Sequence, residues 1–224
     1  MPGDRLPENV LRKPGCRSRC RTWRREGELV SIKTASPALS SEDWDALIRD
    51  RRVRFHTITD RELLQFRRHF FDPRGRVAVD AGCGTGAFAR QLHAYGYDVT
   101  GLDFSAAALT AARITGLRGL RYVAHDITAG TLPALPRQGI DLVVCRHTIG
   151  YLAEPAAWAS RVRTDWLTPG GQMYVVTQKA GGEGRLGALT QEEISEVARG
   201  WAQVVQYDMG HSAYLMLRSP TPPS

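Results

Sequence analysis

Two hydrophobic periods alternate along most of this chain. From Arg76 onward, short continuous apolar runs are followed by stretches with helical spacing. A short apolar run bounded by turn residues reads as a strand buried on both faces. Val77-Ala78-Val79, Val99 to Leu102, Tyr122-Val123-Ala124, Ile140 to Cys145 and Met173 to Thr177 are the predicted strands of this kind. Between them, Phe88 to Tyr95, an alanine-rich stretch capped by Ser105 and running to Ile114, and Pro155 to Leu167 are predicted helices. The last carries Trp158, Val162 and Trp166 on one stripe. Thr190-Gln191-Glu192-Glu193 has the capping-box form and opens a further helix to Ala198. Val204-Val205 and Tyr214 to Leu217 are two closing strands. The short Asp208-Met209-Gly210-His211 link between them can join only antiparallel strands.

Upstream of Arg76 the pattern is helical only. Ser40 is a predicted N-cap, with Asp43 three residues on and Trp44, Leu47 and Ile48 at helical spacing. Thr59-Asp60-Arg61-Glu62 is a second capping box. The helix it opens has Leu63, Leu64, Phe66 and Phe70 as its apolar positions and stops at Asp72-Pro73-Arg74-Gly75. Apolar strands separated by helices imply an α/β fold. The expectation is a three-layer Rossmann-like sandwich: a seven-stranded, mainly parallel sheet with one antiparallel edge strand and helices on both faces. The predicted organisation is a disordered basic tail over 1–35, an N-terminal helical lid over 36–75 and a ligand-binding domain over 76–220.

Composition narrows this picture. The 224 residues, 42% of them hydrophobic, suit one domain with a large core. No apolar run reaches the ~18 residues of a membrane span, and the first thirty residues lack the apolar centre of a signal peptide. Cys16, Cys20, Cys83 and Cys145 are spaced for neither a disulfide framework nor a zinc ribbon, so no metal and a cytoplasmic location are expected. The net charge of +7 suggests nucleic acid, but residues 1–25 hold eight basic and two acidic side chains. The remainder is therefore near neutral, and nucleic acid is disfavoured as a partner. Arg25-Glu26-Gly27-Glu28 can be encoded by a purine-rich stretch resembling a ribosome-binding site, just before Val30. This predicts a natural start at Val30; peptides from residues 1–25 in mass spectra of the native protein would contradict it.

Candidate chemistry lies at the ends of the predicted strands. Asp80-Ala81-Gly82-Cys83-Gly84-Thr85-Gly86 follows the first strand. Glycine lets the backbone turn sharply and approach a ligand closely. The spacing differs from the dinucleotide fingerprint, which needs a glycine where Ala87 stands. Asp103 ends the second strand, where a carboxylate can accept both ribose hydroxyls. Asp126 follows the third and can accept an adenine amino hydrogen. Each acid taken singly also fits a helix cap or a turn.

With these residues in place, 76–178 resembles a class I S-adenosylmethionine-dependent methyltransferase, of the broad group of the ubiquinone and menaquinone biosynthesis enzymes. The glycine turn is similar to the family's first motif. Gly101-Leu102-Asp103-Phe104-Ser105, His125-Asp126-Ile127, Asp141-Leu142-Val143-Val144-Cys145-Arg146 and Leu167-Thr168-Pro169-Gly170-Gly171 resemble its later segments, in order. The resemblance implies S-adenosyl-L-methionine as cofactor and methyl transfer to a small-molecule acceptor. It implies that Asp80 with Gly82, Cys83, Gly84 and Gly86 holds the cofactor's amino-acid end, and that Asp103 binds its ribose. Phe104 and Ile127 would sandwich the adenine, Asp126 would touch its amino group, and Cys145 would offer a backbone carbonyl. Gly150-Tyr151 departs from relatives that carry histidine there; the glycine is read as leaving space and the tyrosine as offering a phenol. His147 is the candidate general base, Tyr151 an acceptor-orienting group, and Arg146 either an anchor for an acidic substrate or one half of a surface ion pair. Arg51, Arg52, Arg54, Phe55 and His56 are candidate lid residues. An RNA-modifying methyltransferase and a non-catalytic S-adenosylmethionine-binding protein are the alternatives. Nothing in the sequence names the acceptor or the oligomeric state.

Overall fold

The computed structural model describes residues 39–50, 55–70, 73–113, 117–130, 132, 135, 137–181 and 187–221. All of these fall within the second of two compact units, 35–224; the first, 1–34, lies outside the described residues. So do the basic tail, Val30, Cys16 and Cys20, Arg51, Arg52 and Arg54, and Ile114.

Among the described residues, eight strands form one sheet. They are β1 (Val77–Ala81), β2 (Asp98–Asp103), β3 (Leu120–Ala124), β4 (Ile140–Arg146), β5 (Leu167–Lys179), β6 (Ala188–Leu189), β7 (Gln203–Met209) and β8 (Ser212–Arg218). The order is β3-β2-β1-β4-β5-β8-β7, with the two-residue β6 pairing beside β5. The five long strands before the hairpin run parallel, and β8 is antiparallel to both of its neighbours. The main path thus has the expected seven strands, but the reversed strand stands one place in from the edge, which is β7. Gly210, at φ 60°, is the first central residue of the two-residue turn joining β7 to β8.

Alternation sorts the core. Val79, Val143, Val175 and Leu215 face one cluster, closed by Trp158, Val162 and Ile194. Ala78, Val144, Val176 and Met216 face the other, closed by Phe66, Phe88 and Leu92. The helices supplying these residues are α2 (Asp60–His69), α3 (Ala87–Tyr95), α5 (Pro155–Arg161), which continues through one π-helical turn to Trp166, and α6 (Gln191–Val197). The remaining helices are α1 (Ser41–Arg49) and α4 (Ala106–Ala112). Burying one side chain of Phe66's size stabilises the fold by about 1.5–3 kcal/mol. Phe66 also meets Phe70, Phe88 and Tyr174 ring to ring, at centroid separations of 4.4, 5.4 and 5.1 Å.

Several local expectations change. Ser40 and Thr190 form complete capping boxes. Thr59 accepts from the Glu62 N–H, but the Glu62 side chain turns inward instead of back to the cap. Leu64 is 53% exposed and not part of the apolar face of α2. The Thr168-Pro169-Gly170-Gly171 turn lies inside β5 as a bulge: Ile140 pairs with Leu167, and the next pair is Leu142 with Gln172. Gly170, at φ 76°, donates to Pro220 O, and Ser219 donates to Gly171 O, so the chain's closing segment pins the bulge. No helix among the described residues is long and apolar enough to cross a membrane.

Candidate functional site

Parallel pairing brings the carboxyl ends of β1, β2, β3 and β4 to one edge of the sheet. The glycine turn opens there. Gly82 and Cys83 donate to Leu102 O at 2.8 and 2.9 Å, tying the turn to β2. Gly82 and Gly84 stand at φ 72° and 54°, a region that penalises any Cβ. A Cβ on Gly82 would collide with the Thr148 side chain, and one on Gly84 would stand 2.7 Å from the Phe55 ring. Asp103 clamps the same turn: its Oδ2 accepts from Gly84 N at 2.8 Å and its Oδ1 from Ser105 N at 2.9 Å. Ser105 caps α4 and donates to Asp45 Oδ1 of α1 at 2.5 Å.

Asp80 is 2% exposed, and its Oδ2 is buried with no hydrogen-bond partner. Burial pushes its carboxyl up to about 7; the Arg146 charge and the Ala89 N–H oppose that, and Asp103 adds to it. A buried, unpartnered acid oxygen beside a glycine turn suits a cationic ligand group. Asp126 is exposed, and its Oδ1 accepts from both Thr128 N and Thr128 Oγ1, so it also shapes its own turn. Phe104 is 38% exposed and offers a ring face at the end of β2. Ile127 is buried, and its carbonyl receives the Trp158 indole N–H at 2.8 Å. Cys83 and Cys145 are free, buried thiols, and burial pushes both well up. Neither is a thiolate nucleophile at neutral pH.

His147 follows β4 at φ 55°, donates its N–H to Val176 O at 2.7 Å, and stacks on His56 with ring centroids 3.6 Å apart. Its Nδ1 is buried without a partner. Burial, then the His56 and Arg146 charges, pull its pKa down to about 3. The ring is therefore neutral near pH 7 and a poor proton acceptor there. Tyr151 ends a 3-10 turn, meets Trp44 edge to face at 5.1 Å, and keeps its phenol proton because burial raises its pKa. Gly150 does not leave space: a Cβ there would collide with the Gly187 carbonyl. The strand-4 loop and the β6 segment approach through backbone, and that approach dictates the glycine.

Arg146 is neither free nor at the surface. Its Nε and one terminal nitrogen donate to the two oxygens of Glu62 at 2.6 and 3.0 Å, with side chains 9% and 2% exposed. Sequence reasoning missed Glu62, although it stands four residues before Phe66 and eight before Phe70, both buried. An acid in an apolar row is a signal for a buried partner. It also missed Asp45 and Thr148, which touch this edge from α1 and the strand-4 loop, where Trp44 meets Tyr151.

With this geometry, comparison with known proteins is informative. Residues 79–173 match a family model described as a methyltransferase domain. The ubiquinone biosynthesis O-methyltransferase of Stutzerimonas stutzeri is 32% identical over 104 residues, 46% of this chain and 44% of that protein. The Marinobacter nauticus protein of the same name is 30% identical over 147 residues, 62% of this chain and 58% of that one. The chain thus spans about half the length of the curated relatives it matches. Among solved structures, an S-adenosylmethionine-dependent methyltransferase from Mesorhizobium loti superposes with a TM-score of 0.57 at 23% identity, over 70% of this chain and 97% of that one. Identity that low speaks for the fold.

Proposed function

We propose that this chain is a class I S-adenosylmethionine-dependent methyltransferase that methylates an oxygen, nitrogen or carbon nucleophile of a small molecule by in-line displacement, a reading supported by the methyltransferase-domain match and the relatives above. The observation that carries this reading is the Asp103-clamped glycine turn beside the unpartnered oxygen of Asp80. When bound, S-adenosylmethionine supplies a methyl group already activated by its sulfonium. Everything else falls to the chain. Asp80 and the glycine-turn backbone hold the amino-acid end. Asp103, already oriented by two backbone N–H groups, has lone pairs left for the ribose hydroxyls. Phe104 and Ile127 form the two walls of the adenine slot, and Asp126 reaches its amino group. Cys145 contributes its backbone carbonyl and not its thiol.

The chain's remaining work is to align nucleophile, methyl and sulfur and to exclude water. The α1 helix, Phe55 and His56 act as a lid. Support comes from four contacts: Asp45 to Ser105, Trp44 to Tyr151, His56 to His147, and Phe55 over Gly84. Tyr151 orients the acceptor through its protonated phenol. His147, kept neutral, is suited to holding an acceptor by a hydrogen bond; a hydroxyl or ammonium acceptor gives up its proton to solvent before water is excluded, which frees the lone pair for attack.

Titration calorimetry tests the reading. S-adenosylmethionine should bind in the micromolar range, on the order of 1 μM to 1 mM as for ordinary enzyme substrates, and NADH should not. Tight NADH binding without S-adenosylmethionine binding would refute it. A metabolite extract incubated with a methyl-labelled donor should then yield a labelled small molecule.

A further inference from the structure

Asp80, Val144 and Arg146 share one face of the sheet. Asp80 and Val144 are register partners between β1 and β4. Arg146 lies two residues beyond Val144, so the pleat returns it to that face. This is the face covered by α2 and α3. The Arg146 guanidinium sits 4.9 Å from the Phe88 ring centroid of α3, and both Glu62 oxygens grip it from α2. Tyr174 OH donates to Glu62 Oε1 at 3.5 Å. The Arg146 charge thus acts on Asp80 while its fork is committed to Glu62, and Asp80 keeps an oxygen without a partner.

We propose that Glu62 is a positioning residue for the methyl donor: by holding Arg146 in a buried two-bond pair, it keeps Asp80 free to receive the donor's ammonium group. The proposal rests on the methyl-donor reading above. Stability alone does not account for an acid at this position. Replacing a buried ion pair by packed apolar residues is often neutral or stabilising, and the neighbouring row positions, Phe66 and Phe70, are apolar. Without the Glu62 charge, the Arg146 guanidinium would turn to the nearest acid and repel an incoming ammonium.

Several groups act on Asp80: Arg146 from β4, Asp103 from β2, Tyr122 from β3, Cys83 from the glycine turn, and the Ala89 N–H from α3, while the Cys145 thiol lies on the opposite face of the sheet. Both thiols and the phenol stay protonated at neutral pH, since burial raises all three. The pH dependence of ammonium binding thus reports on Asp80 against the two charges of Arg146 and Asp103.

The experiment compares two ligands in Glu62→Gln and the wild type: S-adenosylhomocysteine, and 5′-methylthioadenosine, which lacks the amino-acid end. At a pH above the Asp80 titration, Glu62→Gln should weaken S-adenosylhomocysteine by about tenfold, the equivalent of one pKa unit of charge interaction, and leave 5′-methylthioadenosine nearly unchanged. In the wild type, S-adenosylhomocysteine binding should fall as pH drops through about 7, where Asp80 takes a proton. In Glu62→Gln the unbalanced Arg146 charge lowers that midpoint. Equal weakening of both ligands, with the midpoint unmoved, would overturn the proposal and leave Glu62 a structural residue. If Glu62→Gln does not fold, Glu62→Gln/Arg146→Gln removes both charges. Its ligand ratio should be near that of the wild type, because no unbalanced cation is left to repel the ammonium; a ratio shifted about tenfold against S-adenosylhomocysteine would overturn the proposal. A wild-type chain that binds neither ligand would overturn the methyl-donor reading, and this proposal with it.

Discussion

Arg146→Ala should destabilise the fold by about 3–5 kcal/mol, the cost of leaving one member of a buried ion pair without its partner. For a domain of this size the melting temperature falls by on the order of 10 °C. Two contacts go at once, and the first of them is also the tie between α2 and β4. Glu62 loses two charge-assisted hydrogen bonds, at 2.6 and 3.0 Å. Phe88 loses the cation over its ring. The first turn of α2 loses its tie to β4 across 84 residues of sequence. The Tyr174 hydroxyl, 3.5 Å from Glu62, is too long a contact to compensate. Chemical denaturation read by circular dichroism measures the loss. A value under about 1 kcal/mol, as for an exposed ion pair, would show that water reaches Glu62. Glu62→Met/Arg146→Met should recover most of the lost stability, because it leaves no buried charge.

What the sequence conveyed about this molecule follows the range of the forces involved. The strands were legible because burial on both faces demands unbroken apolar runs, as in Leu142-Val143-Val144-Cys145. The caps at Ser40, Ser105 and Thr190 were legible because an N-cap bond spans three residues. The antiparallel hairpin was legible from the shortness of its turn. Longer-range features were not. Glu62 satisfied a local capping pattern, and only a partner 84 residues away turns it inward. Gly150 read as room for a substrate, yet it is set by the backbone of Gly187. Leu167-Thr168-Pro169-Gly170-Gly171 stood out only through the family resemblance; here Thr168 to Gly171 form a bulge that the chain's last described residues hold in the sheet. The position of the reversed strand depended on which partner β8 found, and local pattern carries no information on strand order.

The acids at strand ends show the same division. Position relative to a strand end was enough to single out Asp80, Asp103 and Asp126. It did not distinguish their environments, which differ sharply: Asp80 is buried with a free oxygen, Asp103 is fixed by two backbone donors, and Asp126 is exposed and occupied by Thr128. The same holds for His147. Its location past β4 suggested a base, while its burial and the stacked His56 hold it near 3, so the ring is neutral near pH 7.

Asp103→Ala should lower affinity for S-adenosylmethionine by at least about 100-fold. Two effects combine. The carboxylate accepts from Gly84 N and Ser105 N, and a hydrogen bond to a charged group contributes about 1.5–3 kcal/mol. Losing both frees the glycine turn from its clamp and leaves two donors facing the site. The ribose hydroxyls lose their acceptor as well, and every 1.4 kcal/mol is about tenfold in affinity. Because Ser105 also caps α4 and holds Asp45 of α1, the anchoring of α1 loosens with the turn. Asp103→Asn separates the two effects: its amide oxygen can replace one acceptor, but its NH2 opposes the second N–H, so its affinity should fall between the alanine variant and the wild type. Calorimetry on all three proteins, with melting temperatures measured alongside, reads binding apart from folding. An Asp103→Ala protein that binds S-adenosylmethionine within about threefold of the wild type, well below the cost of even one charged hydrogen bond, would reduce Asp103 to a turn-forming residue and move the ribose site elsewhere along the strand ends.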